Sequence, residues 1–358
     1  MRHASIPGGG VTFRNVPDVF DVAIVGGGPV GLAAAIEARL AGLSVVLIEQ
    51  RSGTIDKACG EGLMPGALPI LDRLGVDPVG MPIMGITYNQ GKQSVTHRFE
   101  GSPGRGVRRT TLHAALANRA RAVEVNFITA KVDRLEQQAD VVELNDSITA
   151  HYVLACDGLH STTARLAGLA LPAPKRGRRY GLRQHYALKP WGDTVEIYYG
   201  PRAEIYVTPI EPDCVGIAML GRQHTDFNEA VAAVPTLAER LRGVPLTSSL
   251  RGAGPFRQRT RARTSGRVLL VGDASGYVDA ITGEGLRLGF AQAAAAVECV
   301  SVGRPADYEE RWTPLTRDFR VTTTTLVRFA TSPLRRGIVP LSAALPGAFG
   351  AVVESLAR

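Results

Sequence analysis

Apolar residues fall along this chain in two different patterns. The first is a set of short unbroken runs. Val22–Val25 and Val45–Ile48 flank an alanine-rich stretch with helical spacing. Unbroken runs of this length fit strands covered on both faces, as in a parallel sheet, and the stretch between them fits a crossover helix. Similar runs open Tyr152–Arg165 (YVLACDGLHSTTAR) and Arg267–Gly289 (RVLLVGDASGYVDAITGEGLRLG), and a long helix is predicted from about Glu284 to Val302. The second pattern is a series of short strands punctuated by turn residues: Tyr180–Leu188, Thr194–Tyr199, Glu204–Pro209 and Cys214–Leu220. Lys189-Pro190, Gly200-Pro201 and Glu211-Pro212-Asp213 separate them, and Met84–Tyr88 with Ser94–Phe99 reads as another hairpin. Thr322–Thr325 is expected to be one turn of a β-branched helix or a loop.

The turn after the first run carries Gly26, Gly28 and Gly31 at G-x-G-x-x-G spacing, with Pro29 at the helix start. In a strand–turn–helix–strand unit each glycine has a physical job. The first permits the tight turn, the second lets backbone approach a pyrophosphate, and the third lets helix pack on strand. The helix N-terminus offers free N–H groups to phosphates. Glu49, ending the second run, can accept hydrogen bonds from ribose hydroxyls, and Gln50 and Arg51 follow it as further candidates. The predicted fold is therefore α/β, with a Rossmann-like dinucleotide-binding domain and an inserted antiparallel β-sheet domain. The first is expected to be discontinuous, over 18–75, 103–177 and 259–302. The second takes 76–102 and 178–258, a helical cap takes 303–358, and 1–17 is expected to be a loose tail.

With 358 residues, 45% of them hydrophobic, the chain is ordinary for a globular protein of two or three units. Its four cysteines (Cys59, Cys156, Cys214, Cys299) are widely spaced, which argues against zinc or a redox disulfide and fits a reducing cytoplasm. No signal-peptide core or transmembrane run is legible. The net charge of +8 reflects arginine clusters at Arg176, Arg178 and Arg179 and at Arg257, Arg259, Arg261 and Arg263. No aromatics interleave with them, so nucleic-acid binding is not expected. A solvated surface is the first reading, with attraction of a nicotinamide cofactor, an acidic substrate or a membrane as alternatives. H-E-x-x-H, paired-carboxylate and G-x-S-x-G arrangements are missing.

The three ordered motifs, from Asp18 to Val302, resemble the para-hydroxybenzoate-hydroxylase-like flavoproteins. That resemblance implies FAD as cofactor, with the first glycine motif and Glu49 at the ADP half. It places Asp273, beside Gly272, at the ribitol, and the backbone of Gly283, Glu284, Gly285 and Leu286 at the flavin pyrimidine edge. It also implies an FAD contact for Arg109, with Arg108 an equally placed rival, and a positioning role for Asp157-Gly158. The loop KACGEGLMP (Lys57–Pro65) resembles the geranylgeranyl reductase branch, which implies that Cys59 and Gly60 lie near the isoalloxazine. Flavin halogenases share the fold but carry W-x-W-x-I-P, whereas Trp191 and Trp312 are isolated here.

Cys59 is expected either to steer the flavin or donate a proton, or to be a small packed residue. Glu61 reads first as an exposed loop carboxylate, and as a candidate acid or base if it is buried beside the flavin. Cys156 reads as a core cysteine. His185, Tyr206 and Pro209 are candidates for the substrate pocket, with a structural strand role as the other reading of His185 and Tyr206, and no metal is expected. The favoured reaction is hydroxylation of an apolar, aromatic or polyketide-like molecule in secondary metabolism through a flavin C4a-hydroperoxide. NAD(P)H or a separate flavin reductase would supply electrons. Alkene reduction in an isoprenoid or other lipophilic substrate is the alternative, and a non-catalytic FAD-binding module lies outside both. Phe329–Val353 reads as broken helices docked on the FAD domain, with a lid over substrate or peripheral membrane contact as alternatives.

Overall fold

The computed structural model describes residues 17–174 and 177–357. The tail expected before Phe20 thus lies outside the described residues over 1–16, as does Arg176.

The unbroken apolar runs form one parallel sheet. Its strands lie in the order Val268–Leu270, Ile148–Ala155, Phe20–Val25, Val45–Glu49 and Asn126–Thr129, all neighbours parallel. The helices Pro29–Leu40, Arg109–Ala122 and Gly285–Ser301 cover one face, where Ile24, Leu47, Leu154 and Leu269 pack with Leu32, Leu116 and Phe290. Antiparallel strands Leu135–Gln137 and Val142–Leu144 help cover the other. Burial on both faces explains why these strands read as continuous apolar runs. Glycine is required at the first turn, where Gly26 has φ +106° and a Cβ would lie 2.6 Å from the Cys156 carbonyl oxygen.

The punctuated strands build a second, seven-stranded sheet in the order Arg251–Ala253, Arg179–Tyr186, Cys214–Arg222, Ala203–Glu211, Val195–Tyr199, Gly85–Gln90 and Gln93–Arg98. It departs from the expected antiparallel sheet in one pairing, since Val195–Tyr199 runs parallel to Gly85–Gln90. That contact joins two distant pieces of chain, so no hairpin dictates its direction. The central strands are buried on both faces. Val207 and Ile217 pack under the short helices Phe227–Ala232 and Pro235–Leu241, and Tyr206 and Ala218 face the other way. A small sheet of Gly62–Leu63, Gly104–Gly106 and Met81–Ile83 straps the two parts together.

Thr322–Thr325 falls inside a 24-residue helix, Asp307–Ala330, which packs along Gly285–Ser301. The cap then breaks into Pro333–Gly337, Ile338–Ala344 and Pro346–Ala357. The last two helices rest on strands Gly85–Gln90 and Gln93–Arg98 rather than on the dinucleotide part, which corrects the expected docking. His97 Nε2 meets Glu354 Oε1 at 2.7 Å, and Arg335 Nη1 donates to the Pro201 carbonyl at 3.0 Å. Among the described residues, no single helix is long and apolar enough to cross a membrane.

Candidate active site

A cavity of about 390 Å³ lies between the two sheets. Its walls include Gly26, Gly28, Pro29, Glu49, Gln50, Arg51, Arg109, Asp157, Gly158, Asp273, Gly283, Gly285 and Leu286, together with Cys59, Gly60, Glu61 and Tyr206. Gly31, Gly272 and Glu284 sit behind that surface. A Cβ on Gly31 would lie 1.9 Å from the Gly26 carbonyl oxygen, so its role is helix–strand contact. Gly272 has φ +65° and packs on Val30, and Glu284 pairs with Arg287.

At one end the geometry suits a diphosphate. Gly28 borders open space, where a Cβ would meet only Arg109 Nη2 at 4.0 Å. Arg109 Nε is buried without a partner. Arg108 turns away to Glu211 and the Thr247 carbonyl, so of the two arginines Arg109 is the one that lines the cavity. Glu49 accepts from the Gly27 N–H at 2.8 Å and from Arg51 Nε at 2.8 Å. Burial opposes its charge, but the Arg51 and Gly27 hydrogen bonds hold its carboxyl below the ordinary range. His113, not singled out in the sequence, donates to the Gly27 carbonyl at 3.0 Å from within VRRTTLHAAL.

Asp157 ties down its own turn, accepting from the Thr163 N–H at 2.9 Å and from Ser161 Oγ. Asp273 faces the middle of the cavity. Burial pushes its carboxyl up, and the charges of Lys57 and Arg109 partly offset this. Gln258 Nε2 secures the same loop by donating to the Asp273 carbonyl at 2.8 Å. Lys57 and Gln258 were not read as site residues; Lys57 lay within the quoted loop, and Gln258 had no local signal. Beyond Asp273, Gly283 (φ +71°) turns the chain into helix Gly285–Ser301, whose N-terminus opens on the cavity. An open diphosphate cradle, an unpartnered arginine and a helix N-terminus fit FAD end to end.

The loop from Lys57 forms the next wall. Cys59 is half-buried, and its Sγ accepts from the Glu61 N–H at 3.4 Å. Glu61 is not an exposed loop carboxylate. It has φ +61° and is only 3% exposed. Its Oε1 accepts from the Arg109 N–H at 2.8 Å, and its Oε2 meets His185 Nε2 at 2.6 Å. His185 Nδ1 lies 3.3 Å from Arg108 Nη2 and 3.4 Å from Arg183 Nη1. Guanidinium groups only donate, so Nδ1 accepts and Nε2 carries the proton given to Glu61. His185 therefore stands behind Glu61 rather than lining the substrate pocket as expected, because Glu61 occupies the cavity side. Pro209 is likewise displaced from the pocket. Its carbonyl faces Gly106, where a Cβ would lie 1.7 Å from the oxygen. Cys156 is buried, and burial pushes its thiol up.

The far wall comes from the second sheet and the cap. Ile86, Tyr88, Val195, Ile197, Tyr206, Leu220 and Phe256 line it, closed by Met64, Ile281 and Leu356. Tyr206 donates to the Ile281 carbonyl at 3.4 Å. Burial keeps the Tyr206 and Tyr277 phenols far above their usual range, hence protonated. No lining residue from this sheet is a carboxylate, lysine, arginine or histidine.

The 3-(3-hydroxy-phenyl)propionate/3-hydroxycinnamic acid hydroxylase of Mycolicibacterium gilvum is 28% identical over 314 residues, 76% of this chain and 52% of that protein. The chain thus spans about half the length of this relative. The menaquinone reductase of Mycolicibacterium smegmatis is 26% identical over 333 residues, covering 83% of this chain and 80% of that one. A solved flavoprotein/dehydrogenase from Cytophaga hutchinsonii shares the fold, with a TM-score of 0.81 at 18% identity over 94% of this chain and 92% of that one. Residues 19–299 match the family described as FAD binding domain. Because that match takes in the Gly26, Asp157 and Asp273 segments that meet at the cavity, this chain belongs to the FAD binding domain family, and FAD is the dinucleotide it accommodates.

Proposed function

We propose that this protein is an FAD-dependent monooxygenase that adds one oxygen atom to an uncharged aromatic or polyketide-like molecule. The observation that carries the reading is the sheet-side wall, which is apolar apart from the Tyr88 and Tyr206 phenols and the Thr208 hydroxyl and offers no charged group. A carboxylate substrate against that wall would be buried without a cation, at a cost of several kcal/mol. Overall, substrate C–H, O2, NAD(P)H and a proton give C–OH, water and NAD(P)+; a separate reductase is the alternative electron source. Reduced FAD supplies the activation of oxygen. The chain's own residues do the rest. The free N–H groups at the start of helix Gly285–Ser301 would favour negative charge on a flavin bound beside them. The apolar wall excludes water from the reacting centre. The Tyr206 phenol stays protonated and, while donating to the Ile281 carbonyl, would accept a hydrogen bond from a substrate hydroxyl.

Alkene reduction is a second reading, favoured by Cys59, whose thiol borders the cavity where a proton donor would stand. The relationship to a named reductase over most of its length supports it. The two readings separate in one experiment. The reduced protein is mixed with candidate substrates anaerobically and then with 18O2. Oxygen transfer requires no flavin reoxidation before oxygen enters and one 18O atom in the product. Reduction requires anaerobic reoxidation and a product two hydrogens heavier. Cys59→Ala should cost little in oxygen transfer, and about 10²–10⁴-fold in rate if the thiol is the positioned acid. Anaerobic turnover abolished by Cys59→Ala would end the monooxygenase reading.

A further inference from the structure

The cap has two apolar sides. Its inner side belongs to the cavity wall, since Val339, Phe349 and Val353 pack with Ile86, Tyr88 and Val195, and Leu356 lines the cavity itself. Its outer side is exposed and equally apolar. Leu334 is 65% exposed, Leu341 58% and Leu345 53%. No ionisable side chain occurs between Gly337 and Val353. On the preceding helix, Val321 and Phe329 are also exposed, a little over two turns apart. Five exposed large apolar side chains on consecutive helices, with no charge between Gly337 and Val353, mark this side of the cap as a candidate interaction site.

The charges at its margin indicate what covers it. Residues 313–357 hold five arginines against two acids, Asp318 and Glu354, and Glu354 is committed to His97. Arg328 and Arg336 are exposed and have no acidic partner among the described residues. A two-fold contact with a second copy would bring these arginines of both chains to one interface without counter-charge. An anionic bilayer offers both apolar depth and negative headgroups. The helices Pro333–Ala344 and Pro346–Ala357 bend by 103° at their junction and are pinned to the sheet through Arg335 and Glu354. They therefore lie along a surface rather than forming one straight span.

We propose that the outer face of the cap, from Val321 to Val352, docks this protein peripherally on an anionic lipid bilayer, with Leu334, Leu341 and Leu345 entering the acyl boundary and Arg328 and Arg336 at the headgroups. This rests on the cap alone and not on which reaction the flavin supports. The test is co-sedimentation of the full FAD-loaded chain with vesicles of phosphatidylcholine, alone or in equimolar mixture with phosphatidylglycerol. Binding is expected to the mixed vesicles and to weaken with salt. Arg328→Ala with Arg336→Ala should lower affinity about 25-fold, roughly fivefold for each arginine. Leu341→Asp with Leu345→Asp should lower it at least about tenfold while the flavin spectrum is retained. Failure to bind either vesicle, or unchanged binding by both pairs of variants, overturns the proposal. So does a dimer in sedimentation velocity that the leucine pair dissociates while no vesicle is bound.

Discussion

At Gly28 the protein leaves room that a side chain of its own could fill. A Cβ there meets nothing closer than Arg109 Nη2 at 4.0 Å, so the apoprotein should tolerate Gly28→Val while the space for a diphosphate disappears. The variant is expected to fold, by far-ultraviolet circular dichroism, and to be colourless. A folded yellow variant would remove the ADP half from this turn. Asp273 offers a second test, because its carboxyl lies above the usual range through burial, offset by Lys57 and Arg109. A raised acid binds its proton more tightly folded than unfolded. Its contribution is fully present below the unfolded value of about 4 and is lost as pH rises through the raised one. Asp273→Asn avoids that loss, so the apo variant should gain stability relative to the parent between about pH 4 and pH 7. Its FAD affinity should nonetheless fall about tenfold to a hundredfold if the ribitol donates to the charged Asp273 carboxylate, since an amide oxygen is the weaker acceptor. Urea melts of apoprotein across pH, with flavin titrations, check both halves; an apo variant less stable than the parent at pH 7 contradicts the first.

The elements that hold the site are legible to different degrees. The strand Phe20–Val25, its helix and the strand Val45–Glu49 follow from local pattern, because apolar runs, glycines and Pro29 at the helix start all agree. Gly31 is the tightest joint between them. Gly31→Ala would press a methyl group to 1.9 Å from the Gly26 carbonyl oxygen and force the helix off its strand. Overpacking of this kind costs about 1–3 kcal/mol, so the urea midpoint should fall with its slope unchanged, and FAD should bind more weakly. A midpoint equal to that of the parent would show that the contact is slack. Other elements were not legible. Met81–Ile83, Gly104–Gly106 and Gly62–Leu63 are two or three residues long and make sense only as a strap. Phe227–Ala232 and Pro235–Leu241 are brief helices whose apolar residues meet a sheet face that no local pattern announces.

For the whole molecule, the site lies where three distant segments of one parallel sheet face a second sheet, and the cap closes the apolar side. Local spacing carried the dinucleotide fold and most of the residues around its cradle, though not Lys57. Turn glycines, the acid at Glu49 and the Asp157 and Asp273 motifs act through backbone conformation and short-range hydrogen bonds, which spacing encodes directly. Tertiary structure alone decided the company each charged side chain keeps. Glu61, in a glycine-rich loop, reads as solvated until Arg183 and His185, more than 120 residues away, bury it. Arg109 and Arg108 are adjacent and alike, and only the packing of their helix start sends one to the cavity and the other to Glu211. The cap is apolar on both sides, so its pattern could not say which face would seal the cavity and which would stay exposed. That choice came from the shape of the sheet beneath it and from the His97–Glu354 and Arg335 contacts that hold it there.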